Sequence, residues 1–186
     1  MGVHWARRWR LVWVTCLALV MMGCLAARAA APLTPPGNRP ATSDDLLGLW
    51  KVMRWHTNVP VDRLKSYAAP YQYFAFGSDG SLRSATSRQP TQDLTAIANA
   101  VELQPAVTRY ACSDNGFVEI VNTGWPDAPE LWHAYYVNFT SRDAEGHFYL
   151  RAGDIVMTLL DNSGRPLYVR QMRQLGAPEP PELAPR

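Results

Sequence analysis

"LLGLWKVMRW", residues 46–55, changes character midway: Ser43, Asp44 and Asp45 precede it, a Gly-x-Trp opens it, and strand-forming residues complete it. Ser43 or Asp44 at the head of "SDDLLG" predicts a short capped helix. Trp50 therefore stands where a helix hands over to the first strand of a sheet. The size of that sheet follows from counting forward. "LWKVMRWHT" (49–57), "YQYFAFG" (71–77), "SLRSATS" (81–87), "VTRYACS" (107–113) and "GFVEIVNT" (116–123) are short and rich in aromatic and β-branched residues. "LWHAYYVNFT" (131–140), "HFYLRA" (147–152), "DIVMTLLD" (154–161) and "PLYVRQMRQL" (166–175) share that character. The links "GSDGS" (77–81), "SDNG" (113–116), "RDAEG" (142–146) and "DNSG" (161–164) carry the Asp, Asn and Gly residues that hairpins use. Neighbouring strands are thus expected to pair antiparallel in sequence order. A second helix, "TQDLTAIANAVE" (91–102) capped by Thr91, interrupts the meander.

Eight or nine successive antiparallel strands do not stay flat, because twist and unpaired edges favour closure or folding over. The predicted fold class is all-β: an antiparallel up-and-down barrel of about eight strands with one or two short helices. An interior of that size holds side chains or one small ligand.

The flanks have a different composition. "ARRWR" precedes the uncharged run "LVWVTCLALVMMGCLAA" (11–27), and small residues follow, which is the pattern of an export signal over residues 1–29. Two processing routes are open: cleavage after "ARA" at 27–29, or a lipobox-like "MMGC" that would place a lipid on Cys24. The predicted location is periplasmic or secreted, with membrane attachment only through the leader or a Cys24 lipid. Residues 30–43 read as a Pro-rich linker, 44–175 as the barrel and 176–186 as a second Pro-rich tail without order of its own. A chain of 186 residues with 47% hydrophobic and 18% charged content suits one such domain. Without Arg7, Arg8, Arg10 and Arg28, 14 basic residues face 16 acidic ones. A net charge near −2 argues against nucleic acid as a partner. Cys112 is then the one thiol of the barrel, so no disulfide framework forms, and "RYACSD" supplies it no base.

"GLW" at the start of the first strand, "YFAFGSDGSLR" (73–83) and the terminal "LYVRQMRQL" (167–175) together resemble the lipocalin-like (calycin) barrel domains of exported bacterial proteins. The resemblance spans about residues 44–175. It implies that the tryptophan of the first strand packs across a closed end beneath an arginine or lysine from the last, which here pairs Trp50 with Arg170 or Arg173. A guanidinium over an indole gains about 0.5–2 kcal/mol.

With one end sealed, binding belongs at the other. The aromatic candidates are Tyr71 and Tyr73, or Phe74 and Phe76 from the opposite face of the same strand, then Tyr110, Phe117, Tyr135 and Phe148. On 131–140 the set Leu131, His133, Tyr135, Val137 and Phe139 is the more apolar and is expected to face inward. Arg109 and His133 would then anchor an acidic head group, unless Arg109 pairs with Glu119 across the hairpin. The predicted ligand-binding set is Tyr73, Arg109, Phe117, His133 and Tyr135, for a small apolar or amphipathic molecule. The rival reading is a filled core with a protein partner engaged through "NTGWPDAPELW" (122–132), where Trp125 and Trp132 flank two prolines. His56, His133 and His147 lack ligand spacing, so no metal or cofactor is expected, and no catalytic residue is identified. Asp154 in "RAGDIV" (151–156) is expected to hold a tight corner by accepting backbone hydrogen bonds.

Overall fold

The computed structural model describes residues 34–60, 69–142 and 149–177. The export signal, Cys24, His147, Phe148 and nearly all of the C-terminal tail lie outside the described residues. In chain order the elements are β1 (Arg39–Pro40), α1 (Ser43–Leu46), β2 (Gly48–Thr57), β3 (Tyr71–Phe76), β4 (Ser81–Ser87), α2 (Leu94–Glu102), β5 (Thr108–Cys112) and β6 (Phe117–Asn122). They continue as β7 (Trp125–Tyr136), β8 (Ser141–Arg142), β9 (Tyr149–Leu150), β10 (Ile155–Leu160) and β11 (Pro166–Gln174).

Eight of these strands close on themselves in the order β2-β3-β4-β5-β6-β7-β10-β11, each pair antiparallel. The first and last long strands meet along Trp50↔Gln174 to Thr57↔Tyr168. The excursion between β7 and β10 forms its own two-stranded ribbon, β8–β9. The all-β, up-and-down barrel with two short helices is therefore as expected. Among the described residues no helix is long and apolar enough to cross a membrane.

Three boundaries differ from expectation. Arg39–Pro40 lies in the stretch read as a linker, yet it pairs with Tyr136 and Tyr135 and extends the wall beyond the end of β6. α1 is capped by Thr42 and α2 by Asp93, not by Ser43, Asp44 or Thr91. β7 begins at Trp125 rather than Leu131, because "WPDAPE" stays extended. Between Asn122↔Trp125 and Ile120↔Glu130 the register shifts, so residues 126–129 bulge out of the ladder. Pro126 and Pro129, which have no amide to donate, occupy that bulge.

A second bulge sets the core. Gln171 pairs with Arg54 but Met172 with Val52, which leaves Met53 as an extra, 40% exposed residue. The slip keeps Trp50, Val52 and Trp55 packed on the same inner cluster, where simple alternation would turn Trp55 outward. Phe76, Val118, Trp132, Ile155, Tyr168 and Met172 complete this central cluster. Gly116 lets the wall close: its φ is +81°, and a Cβ there would come within 2.4 Å of the Ala134 carbonyl oxygen.

Two smaller clusters lie outside the barrel. Tyr73 packs with Ile97 and Val101 under α2, and Tyr135, Val137 and Val156 pack with Leu150 of β9. Both faces of β3 and of β7 thus carry buried apolar side chains.

Candidate ligand-binding cavity

The two halves of the barrel are built differently. At one end Ala41, Leu46 and Trp50 are buried together, and the Trp50 indole donates to the Leu46 carbonyl at 2.7 Å. α1 is held there by a capping box, in which Thr42 accepts from the Asp45 amide while the Asp45 carboxylate accepts from the Thr42 amide. Arg39 grips the same carboxylate with both terminal nitrogens and lies 4.4 Å over the Tyr136 ring. Those Arg39 hydrogen bonds are the main reason the Asp45 carboxyl is held down to about 2. The Cys112 thiol donates to the Ala41 carbonyl, and burial, aided by Asp45 and Asp114, pushes it up to about 11. An inert, half-buried thiol is the result.

At the other end the interior holds a cavity of about 500 Å³. Its apolar wall is Phe74 of β3, Leu82 of β4 and Ile120 of β6. Ser84 and Thr86 of β4, Thr108 of β5 and Asn122 of β6 line its polar side. The 126–129 bulge contributes Ala128, and Gln72, Glu130, Trp132 and Arg170 complete the lining. The opening has a structural cause: β4 and β5 pair at Ser81↔Arg109 and Leu82↔Thr108, next to a Tyr110-to-Gly80 backbone bond, and do not pair beyond Leu82, where the two strands diverge.

Arg170 forms the floor. Its guanidinium lies 4.1 Å from the Phe74 ring centre and 4.2 Å from that of Trp132, and it donates to the Met157 sulfur at 3.4 Å. Trp132 in turn donates from its indole nitrogen to Glu130 at 2.9 Å. One indole therefore carries a cation against its face and a carboxylate at its N–H edge. Tyr168, fully buried, meets Trp132 edge-on at 6.0 Å and is hydrogen-bonded to the Gln72 side chain.

Trp50 is buried at the closed end, but neither cation implied for it covers it. Arg170 pairs in register with Trp55, well along β2 from Trp50, and stacks on Phe74 and Trp132. Arg173 has the opposite parity on β11 and pairs with buried Asp154 at 2.8 and 3.0 Å on the outer surface. Asp154 also accepts from the Arg151 amide, which is the corner role expected of it. A second recess of about 340 Å³ lies against this pair, outside the barrel.

None of the five residues expected to bind ligand reaches the cavity, because each sits on the outward register of its strand. Tyr73 belongs to the cluster under α2. Arg109 is exposed and donates to the Asp79 carbonyl at 2.6 Å rather than pairing with Glu119. Phe117 and His133 meet edge-on at 5.2 Å. Burial lowers the His133 imidazole, opposed by the Asn115 backbone, and raises the Tyr135 hydroxyl to about 12. The inward set on β7 is Glu130, Trp132 and Ala134, the reverse of the expected face. Glu130 and Gln72 escaped the sequence reading entirely. The signal available was parity: Glu130 and Trp132 are two apart and must share a face.

A comparison with models of known protein families gives no match, and neither does one with curated proteins.

Proposed function

We propose that the protein is an exported, lipocalin-like binding protein that holds one small amphipathic molecule in the open half of its barrel without chemically changing it. The observation that carries this reading is the cavity itself. At about 500 Å³ it falls within the range of small-molecule sites, and it combines an aromatic and aliphatic wall with a few convergent polar groups. Covering the apolar wall contributes about 25 cal/mol for each Å² removed from water, before the costs of association and ordering. The leader pattern in residues 1–29 supports export, and the barrel with its buried Trp50 supports the lipocalin likeness. An unfilled interior weighs against the rival of a solid core acting through 122–132, most of which is strand.

Native mass spectrometry of the protein purified from its own host tests this. A bound species of constant mass is expected, and Ala128→Trp, which places an indole in the lining, removes it while the circular dichroism spectrum stays that of the folded barrel. Retention of the species by a folded Ala128→Trp variant would place binding elsewhere.

A further inference from the structure

The charge balance of the lining narrows the ligand class, on the premise that the barrel is the binding site. Among the described residues, Arg170 and Glu130 are the two ionisable side chains that line the cavity, one of each sign. They are tied to a single side chain, since the guanidinium covers the Trp132 face and the carboxylate accepts from its indole N–H. The lining therefore has a formal charge of zero and a built-in dipole. Hydroxyls of Ser84, Thr86 and Thr108 and the amide of Asn122 add donors and acceptors around it.

Three ligand types can be ranked on this basis. A pure hydrocarbon would strip water from the Ser84, Thr86 and Thr108 hydroxyls and return no hydrogen bond, at a cost of about 1–3 kcal/mol for each group left unsatisfied. An anionic amphiphile would gain from Arg170 but bring its charge beside the Glu130 carboxylate. A cationic one meets the mirror-image conflict at Arg170. An uncharged amphiphile with neighbouring donors and acceptors satisfies both poles and adds no net charge.

We infer that the cavity selects an electrically neutral amphiphile, with a hydroxyl-bearing head that bridges the Arg170 and Glu130 poles and a short apolar part against Phe74, Leu82 and Ile120. At about 30 Å³ per water-sized unit, the space takes roughly 16 non-hydrogen atoms, so the ligand is compact.

Isothermal titration with four probes of one chain length tests the proposal: 1,2-octanediol, octanoate, octylammonium and octane, the last delivered as vapour. The diol is expected to bind at least tenfold more tightly than either ion. Glu130→Gln leaves an oxygen to accept from Trp132 but makes the lining formally +1, so the octanoate-to-diol affinity ratio is expected to rise at least tenfold. Octanoate or octane binding most tightly to the unaltered protein overturns the neutral-ligand inference while leaving the binding function intact, and so does a ratio that Glu130→Gln does not move. Failure of every probe, together with no co-purifying molecule in the native spectrum, removes the binding function and this inference with it.

Discussion

The closed and open halves of the barrel share β2, β3, β6, β7 and β11, yet one is solid and the other hollow. At the closed half the sequence sends Leu46, Trp50, Phe76 and Met172 inward, all buried and apolar. At the open half β3, β6 and β7 send in Gln72, Asn122 and Glu130. Side-chain volume and polarity along each strand, not the backbone plan, decide where the interior stays empty. The contrast also separates two kinds of residue: those that fill the interior and those that border the cavity.

The largest expected effect is at the solid half. Trp50→Ala empties a fully buried indole site and breaks the hydrogen bond to Leu46, at a cost of about 3–5 kcal/mol by urea unfolding. A loss near that of a surface substitution would mean that the closed end is not packed as described. Next is Arg170→Met, which removes the cation from between two rings, for which about 2 kcal/mol is expected from the denaturation midpoint. Asp45→Asn loosens the α1 cap and its Arg39 pair and is expected to cost about 1 kcal/mol.

Two pH effects sharpen the same division. The Asp45 carboxyl sits at about 2, below its unfolded value, so its stabilisation is present above about pH 4 and is lost as pH falls towards 2. The His133 imidazole is likewise lowered, so the unfolded chain takes up a proton first as pH drops below about 6.5. Stability is therefore expected to decline below that pH, and His133→Phe should flatten the slope of Tm between pH 7 and 5. An unchanged slope would assign it to other groups. The smallest effect belongs to the hollow half: Thr108→Val, at the cavity wall, should shift the unfolding free energy by no more than about 0.5 kcal/mol while weakening binding of 1,2-octanediol.

The contrast also explains what the sequence revealed. Strand existence was legible because turn residues at "GSDGS", "SDNG" and "DNSG" separate aromatic and β-branched runs, and Trp50 was correctly placed at a buried end. Strand faces were not legible on β3 and β7. Alternation assigns an inward face only when the other face is polar, and here α2 covers Tyr73 while β9 covers Tyr135 and Val137. Choosing the more apolar register of β7 consequently selected the outside. The prolines at 126 and 129 signalled a loop, whereas the ladder accommodates them in a bulge. Arg39–Pro40 looked like tether because two residues carry no periodicity; their strand character comes from Tyr135 and Tyr136. Glu130 was invisible as a site residue because its role depends on Arg170, forty positions later, meeting the same indole.

The seam between β4 and β5 has a further consequence. Ser81↔Arg109 and Leu82↔Thr108 are its paired positions, with one more backbone bond from the Tyr110 amide to the Gly80 carbonyl, whereas β10 and β11 share six pairs. Parting the staves at this place sacrifices the fewest backbone bonds and exposes the hollow sideways. Under the binding function proposed above, this flank is the expected route of loading, and a covalent link across those two strands would slow entry and exit alike.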